Sequence, residues 1–110
     1  MELMNIQDFS ERTGISKSAL RFYEQKDLLL PRERSANGYR IYSEDQISTV
    51  KLISSLRLAD VPINDIKVYL LQTDEAMRQQ MLANWIHTIK KKRNLLDVSL
   101  RYLESDSFCS

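Results

Sequence analysis

The sequence predicts a mostly α-helical fold: a head of short helices carrying a small two-stranded wing, followed by a long C-terminal coiled-coil helix. Three observations predict it. The 110 residues include only two glycines and two prolines, so few chain breakers interrupt helices. Apolar residues recur at helical spacing along most of the chain. Residues 75–104 contain neither glycine nor proline. At 43% hydrophobic and 28% charged residues, the composition is that of a globular chain with one modest core, not of a disordered one.

Asn5 is a suitable N-cap for a short helix over Ile6–Arg12, which Thr13-Gly14 ends. Ser16 then caps a second helix over Lys17–Gln25, with Leu20 and Tyr23 on its apolar side. Two short helices joined through a glycine-containing turn predict a helix-turn-helix. Leu28-Leu29-Leu30-Pro31 reads as an extended run. Asn37-Gly38 is a hairpin-turn dipeptide, since both residues accept positive φ, and Tyr39-Arg40-Ile41-Tyr42 suits the returning strand. The head is therefore a winged helix-turn-helix.

Ser43 is the expected cap of the next helix, with Glu44 and Asp45 in its first turn and Gln46 completing a capping box. Asp60-Val61-Pro62 breaks that helix, and Ile63–Leu71 forms a shorter one. The last helix, Glu75–Glu104 with Thr73 or Asp74 as cap, would be roughly 45 Å long. Leu82, Ile89, Leu96 and Leu103 recur at every seventh position, and Trp85, Ile86 and Leu100 widen the stripe. A seven-residue repeat is a coiled-coil seam that needs a partner helix. Lys92 and Arg93 interrupt it. The expected division is residues 1–72 for the head and 73–110 for the dimerisation helix and a short tail.

Composition excludes several classes. The one histidine, His87, and the one cysteine, Cys109, supply neither a catalytic set nor a metal-ligand cluster. Both have bland readings, on the helix surface and in the tail. Enzyme, metal and cofactor roles are therefore not expected. A lone cysteine and the absence of a signal-like N-terminus fit a cytoplasmic protein. No apolar run approaches the roughly 20 residues of a membrane helix. The net charge of only +1 gives no general attraction to nucleic acid, so the placement of charge must carry that argument.

A recognition helix presents polar and basic groups outward near its N-terminus. Lys17, Ser18 and Arg21 fit that face, and Arg21 suits either a guanine edge or a phosphate. Tyr23 suits either a phosphate contact or core packing. Arg32, Arg34, Tyr39 and Arg40 surround the Asn37-Gly38 turn and suit a backbone grip, while Arg57 is a candidate phosphate clamp. The Lys90-Lys91-Lys92-Arg93 run reads as a solvated helix face.

The stretch Thr13-Gly14-Ile15-Ser16-Lys17-Ser18-Ala19-Leu20-Arg21-Phe22-Tyr23-Glu24 resembles the helix-turn-helix signature of the MerR family of bacterial transcription regulators. Leu28-Leu29 and Asn37-Gly38-Tyr39-Arg40-Ile41-Tyr42 resemble its wing signature, and the likeness continues through Leu56-Arg57 and Ile63-Asn64-Asp65-Ile66. The resemblance implies an antiparallel coiled-coil homodimer, whose seam here would use Leu82, Trp85, Ile89, Leu96, Leu100 and Leu103. It implies binding to a pseudo-palindromic promoter with an overlong spacer, whose distortion lets RNA polymerase start. It makes Ser16, Lys17, Ser18, Arg21 and Tyr23 recognition-helix contacts, Tyr39 and Arg40 wing contacts, and Arg57 a second-wing contact. Two departures concern geometry: Asp60 stands where a glycine is common, and Pro62 where an N-cap serine is. A third concerns sensing, because metal-sensing relatives carry a cysteine at the start of the long helix and a pair beyond its end. Residues 74–79 have none, so that thiolate site is not expected. The chain is either a minimal regulator or the N-terminal part of a longer effector-sensing protein. The alternative from another class is an interaction module that uses the same head as a scaffold.

Overall fold

The computed structural model describes residues 2–109, and the chain divides into two units, Met1–Leu71 and Gln72–Ser110. The expected division lay one residue later.

The first unit begins with strand β1 (Leu3–Asn5) and helix α1 (Ile6–Thr13). The Asn5 side chain accepts a hydrogen bond from the Asp8 N–H at 2.8 Å, satisfying a donor that the helix start leaves open. Gly14 ends α1 at φ 73°, and its N–H donates to the Ser10 carbonyl. Helix α2 (Lys17–Gln25) starts where Ser16 Oγ accepts from the Ala19 N–H at 3.1 Å. The turn between them is pinned from α1: Ser10 Oγ donates to the Ile15 carbonyl at 2.6 Å, and Thr13 Oγ1 accepts from the Ile15 N–H at 3.2 Å. These bonds fix the angle at which α2 leaves α1.

Helix α2 ends on a left-handed aspartate, Asp27 at φ 59°. The Asp27 N–H donates to the Glu24 carbonyl and the Leu28 N–H to the Tyr23 carbonyl, the paired bonds of a Schellman stop. Leu28 and Leu29 are buried but form no strand. The extended run expected there is instead a core-filling exit from the helix.

Strands β2 (Glu33–Arg34) and β3 (Arg40–Ser43) form the expected wing hairpin. A third strand, not read from the sequence, joins it: β1 pairs antiparallel with β3, giving the order β1-β3-β2. Met4 then lies opposite Tyr42, and Arg34 opposite Arg40. Only Gly38 of the turn has positive φ, 81°. The Ser35 N–H donates to the Tyr39 carbonyl and the Gly38 N–H to the Ser35 carbonyl. The loop thus has three residues with glycine in the left-handed place, so Asn37 has no need of positive φ.

Helix α3 (Gln46–Leu58) begins later than Ser43 predicts. Ser43 is the fully buried last residue of β3 and is committed to the sheet. Its hydroxyl donates to the Asp45 carboxylate, and Gln46 Oε1 accepts from its N–H at 3.0 Å. That second bond is the reciprocal half of a capping box. The Gln46 amide also donates to the Leu30 carbonyl at 2.6 Å, tying the α2 exit to α3. Helix α3 ends in a second Schellman stop, with Asp60 at φ 62°, its N–H on the Arg57 carbonyl, and the Val61 N–H on the Leu56 carbonyl. A glycine is common at this place because the backbone is left-handed there. Helix α4 (Ile63–Leu71) follows directly.

The core of this unit gathers Phe9, Leu20, Tyr42, Val50, Ile53 and Ile66, all essentially inaccessible. Phe9 and Tyr42 stack with centroids 4.4 Å apart and planes 5° from parallel. The Tyr42 hydroxyl is buried without a hydrogen-bond partner. Burial raises its pKa, and the Glu24 carboxylate adds to the rise while nearby arginines oppose it. Removing an unpaired buried hydroxyl is neutral or favourable. Tyr42→Phe is therefore expected to match or exceed the wild-type melting temperature at neutral pH. Above the ordinary tyrosine pKa of about 10, the unfolded chain sheds a proton that the folded one keeps. The wild-type contribution is thus complete below that pH and lost above it. Melting curves of both proteins from neutral to alkaline pH should diverge there, the wild type falling faster; parallel curves would remove the assignment.

The second unit is helix α5 (Glu75–Cys109), 35 residues long and extending past the expected end at Glu104. Asp74 caps it, accepting from the Ala76 N–H at 2.9 Å. Of the expected seam, Ile89, Leu96, Leu100 and Leu103 are exposed in the single chain, while Leu82 and Trp85 are half-buried. Among the described residues, no helix is long and apolar enough to cross a membrane. The side chain of Cys109 lies outside the described residues.

Candidate nucleic-acid interface

Helix α2 buries Leu20 and Tyr23 and turns its other side outward. With 3.6 residues per turn, Lys17, Ser18 and Arg21 fall on that outer side. Ser16, Ser18 and Arg21 are exposed and Lys17 is half-buried. The Ser16 hydroxyl holds the helix start by accepting from the Ala19 N–H. Phe22 is 40% exposed, with the Lys26 ammonium 5.6 Å from its ring centroid. Tyr23 is different. At 6% exposure its ring belongs to the core, which is the packing side of the two readings open in the sequence.

The wing brings Tyr39 and Arg40 to the same place. Arg21, Tyr39 and Arg40 line one open cleft of about 610 Å³, together with Ser35, Gly38 and the first turn of α1. Tyr39 is 69% exposed at its rim. Asn5 and Gln7 line it too, and neither stands out in the sequence as more than part of a helix start.

Two of the three wing arginines, Arg34 and Arg40, are not free cations. Arg34 donates through one terminal nitrogen to the Gly38 carbonyl at 3.0 Å and through the other to Glu24 Oε1 at 2.8 Å. The Arg40 Nε–H donates to the other oxygen of Glu24. This hydrogen-bonded ion pair raises the Arg40 pKa, partly offset by burial. Glu24 was legible only as a letter of the α2 signature, and its role needed the fold, which carries α2 and the wing together.

Arg57 does not line this cleft. Near the end of α3, its guanidinium donates to the Val61 carbonyl at 2.8 Å and so braces the Asp60 stop. Arg12 is likewise engaged, with Glu2 at 3.2 Å and Glu44 at 3.6 Å. Among the described residues, no group of three or more His, Cys, Asp or Glu is placed to hold a metal ion.

The family model of the MerR HTH family regulatory proteins matches residues 4–73. The chain belongs to the MerR family. Its match therefore covers α1, α2 and the wing, whose residues line the cleft, and continues through α3 and α4. The HTH-type transcriptional regulator CueR of Salmonella typhi is 43% identical over 54 residues, which make up 49% of this chain and 39% of that protein. The chain thus spans about two-fifths of the length of that relative. The HTH-type transcriptional regulator YfmP of Bacillus subtilis is 28% identical over 120 residues, covering 96% of this chain and 86% of the relative. Among solved structures, HiNmlR, a MerR family regulator lacking the sensor domain and bound to promoter DNA, superposes with a TM-score of 0.80 at 22% identity. The match covers 91% of this chain and 80% of that one. At that identity the likeness speaks for a shared fold.

Proposed function

We propose that this MerR-family chain is a cytoplasmic, sequence-specific transcription regulator that binds a pseudo-palindromic promoter as a homodimer. The observation that carries the reading is the convergence of Arg21 from α2 with Tyr39 and Arg40 from the wing on one cleft. The outer side of α2 enters the major groove, where Arg21 reads a base edge, with Lys17 and Ser18 beside it. Tyr39 and Arg40 hold the adjacent backbone. Arg57 acts indirectly, by bracing the turn after α3.

Two heads joined through the α5 seams grip two half-sites. Bending a short duplex costs on the order of 1–6 kcal/mol, and phosphate contacts from both heads offset it. An effector need shift the balance between two DNA shapes by only a few kcal/mol. The realigned promoter is then a substrate for RNA polymerase. That HiNmlR lacks a sensor domain and is bound to promoter DNA supports DNA binding by a chain of this extent.

The test is anisotropy of a labelled duplex carrying the promoter upstream of the protein's own gene, titrated at several salt concentrations. Affinity is expected to fall steeply with salt, at two protomers per site. Arg21→Ala should cost about 1–3 kcal/mol and relax specificity at one base position of each half-site. A uniform loss on every sequence would reassign Arg21 to phosphate. Unchanged affinity in both Arg21→Ala and Arg40→Ala would transfer the head to a protein-interaction role.

A further inference from the structure

Glu24 occupies an unexpected place for a carboxylate, beside a cleft read as a DNA interface. Each of its oxygens is taken by a different wing arginine, Arg34 and Arg40. Those two arginines are direct partners across the β2–β3 hairpin. Like charges facing each other across two strands repel, and β2 is only two residues long, so the hairpin has little else to hold that rung. The Glu24 side chain is 17% exposed, against 48% for Arg34 and 29% for Arg40. The carboxylate is thus the inner member of the cluster and the guanidinium groups the outer ones. Arg34 extends the tether to the loop tip through the Gly38 carbonyl.

We propose that Glu24 is a positioning residue and a specificity filter: it holds Arg34 and Arg40 at fixed places beside α2 and restrains both from gripping the phosphates of any duplex that passes. The inference rests on the DNA-binding reading above. The argument is electrostatic. Sequence-independent affinity grows with the number of phosphates that free cations neutralise. A carboxylate bound to two guanidinium groups halves their net charge and repels an approaching phosphate. Contact is rewarded only where the backbone comes to the outer edges of arginines that do not move. In the site-specific complex, where α2 sets the register, that condition is met. On other sequences it is not.

Two variants separate the two effects, each checked for its folded state by a circular-dichroism melt. The probes are the duplex carrying the promoter upstream of the gene and a scrambled duplex of equal length and composition. Glu24→Gln removes the charge. It is expected to strengthen binding to the scrambled duplex, to steepen the salt slope by about 1, and to lower the ratio of specific to scrambled affinity on the order of tenfold. Glu24→Asp keeps the charge but is one methylene too short to span both arginines. Its ratio is expected to fall with the slope unchanged, and it stands alone as the test if Glu24→Gln does not fold. A wild-type ratio in the folded variants overturns the proposal. So does an equal weakening on both duplexes, which is what a purely structural role gives. If the wild-type protein shows no salt-dependent binding to either duplex, the DNA reading itself falls and takes the inference with it.

Discussion

Replacing Ile89 and Leu96 together by lysine is expected to convert the proposed dimer to a monomer and to lower affinity for a two-half-site duplex by roughly 10²–10⁴-fold. The two positions are one heptad apart on α5, between Leu82 and Leu103 of the same stripe. Leu96 is 69% exposed and Leu103 63% in the single chain, and that much leucine surface on a charged helix is explained by a covering partner. Two lysines on each helix put four like charges into a seam that Lys92 and Arg93 already weaken. The loss should be confined to linkage: a duplex with one half-site should bind as before, because the residues proposed to meet it are all in the head. Analytical ultracentrifugation and anisotropy on one-site and two-site duplexes check both halves. A variant that remains dimeric would move the seam elsewhere on α5.

The second large effect is on stability. Phe9→Ala is expected to cost about 3–5 kcal/mol, the range for deleting a buried aromatic ring. Phe9 is fully buried, and its loss takes away the face on which Tyr42 stacks. It also removes the side chain by which α1 reaches the centre of the sheet. Since small domains hold only about 5–15 kcal/mol in total, the head should lose a large part of its stability. A urea titration should show the midpoint of the head transition falling sharply. A shift of a few tenths of a kcal/mol would mean that the cavity collapses with ease, and that the Phe9–Tyr42 stack does not organise the core.

What the sequence made legible was what is decided locally. Asn5, Ser16, Gly14 and Asp74 each act through bonds to residues no more than four positions away, so their residue types announced the helix ends. The bounds of α2 and α4 followed. What escaped depended on residues far apart in the chain. Strand β1 is three residues of no distinctive pattern, and it exists because Met4 meets Tyr42. Ser43 has the chemistry of a helix cap, but the sheet claims it first. Tyr23 suits a phosphate or a core equally well until the fold buries its ring. Glu24 is the clearest case. Its meaning lies in Arg34 and Arg40, ten and sixteen residues away, and no local pattern joins them.

Asp27 and Asp60 close α2 and α3 in the same way, each with a side-chain-bearing residue in the left-handed region. Such a residue costs roughly 1–2 kcal/mol more there than in the right-handed form, though aspartate bears it better than most. Glycine bears it without strain. The protein therefore carries two places, both on exposed turns, where stability has been left unclaimed. This bears on how the proposed recognition surface can change over time. Substitutions at the proposed contact residues Arg21 and Lys17 or in the wing that loosen the head can be compensated by glycine at Asp27 or Asp60. In evolutionary terms the two turns are slack, and the slack gives a regulator room to drift from one operator to another without passing through an unfolded intermediate.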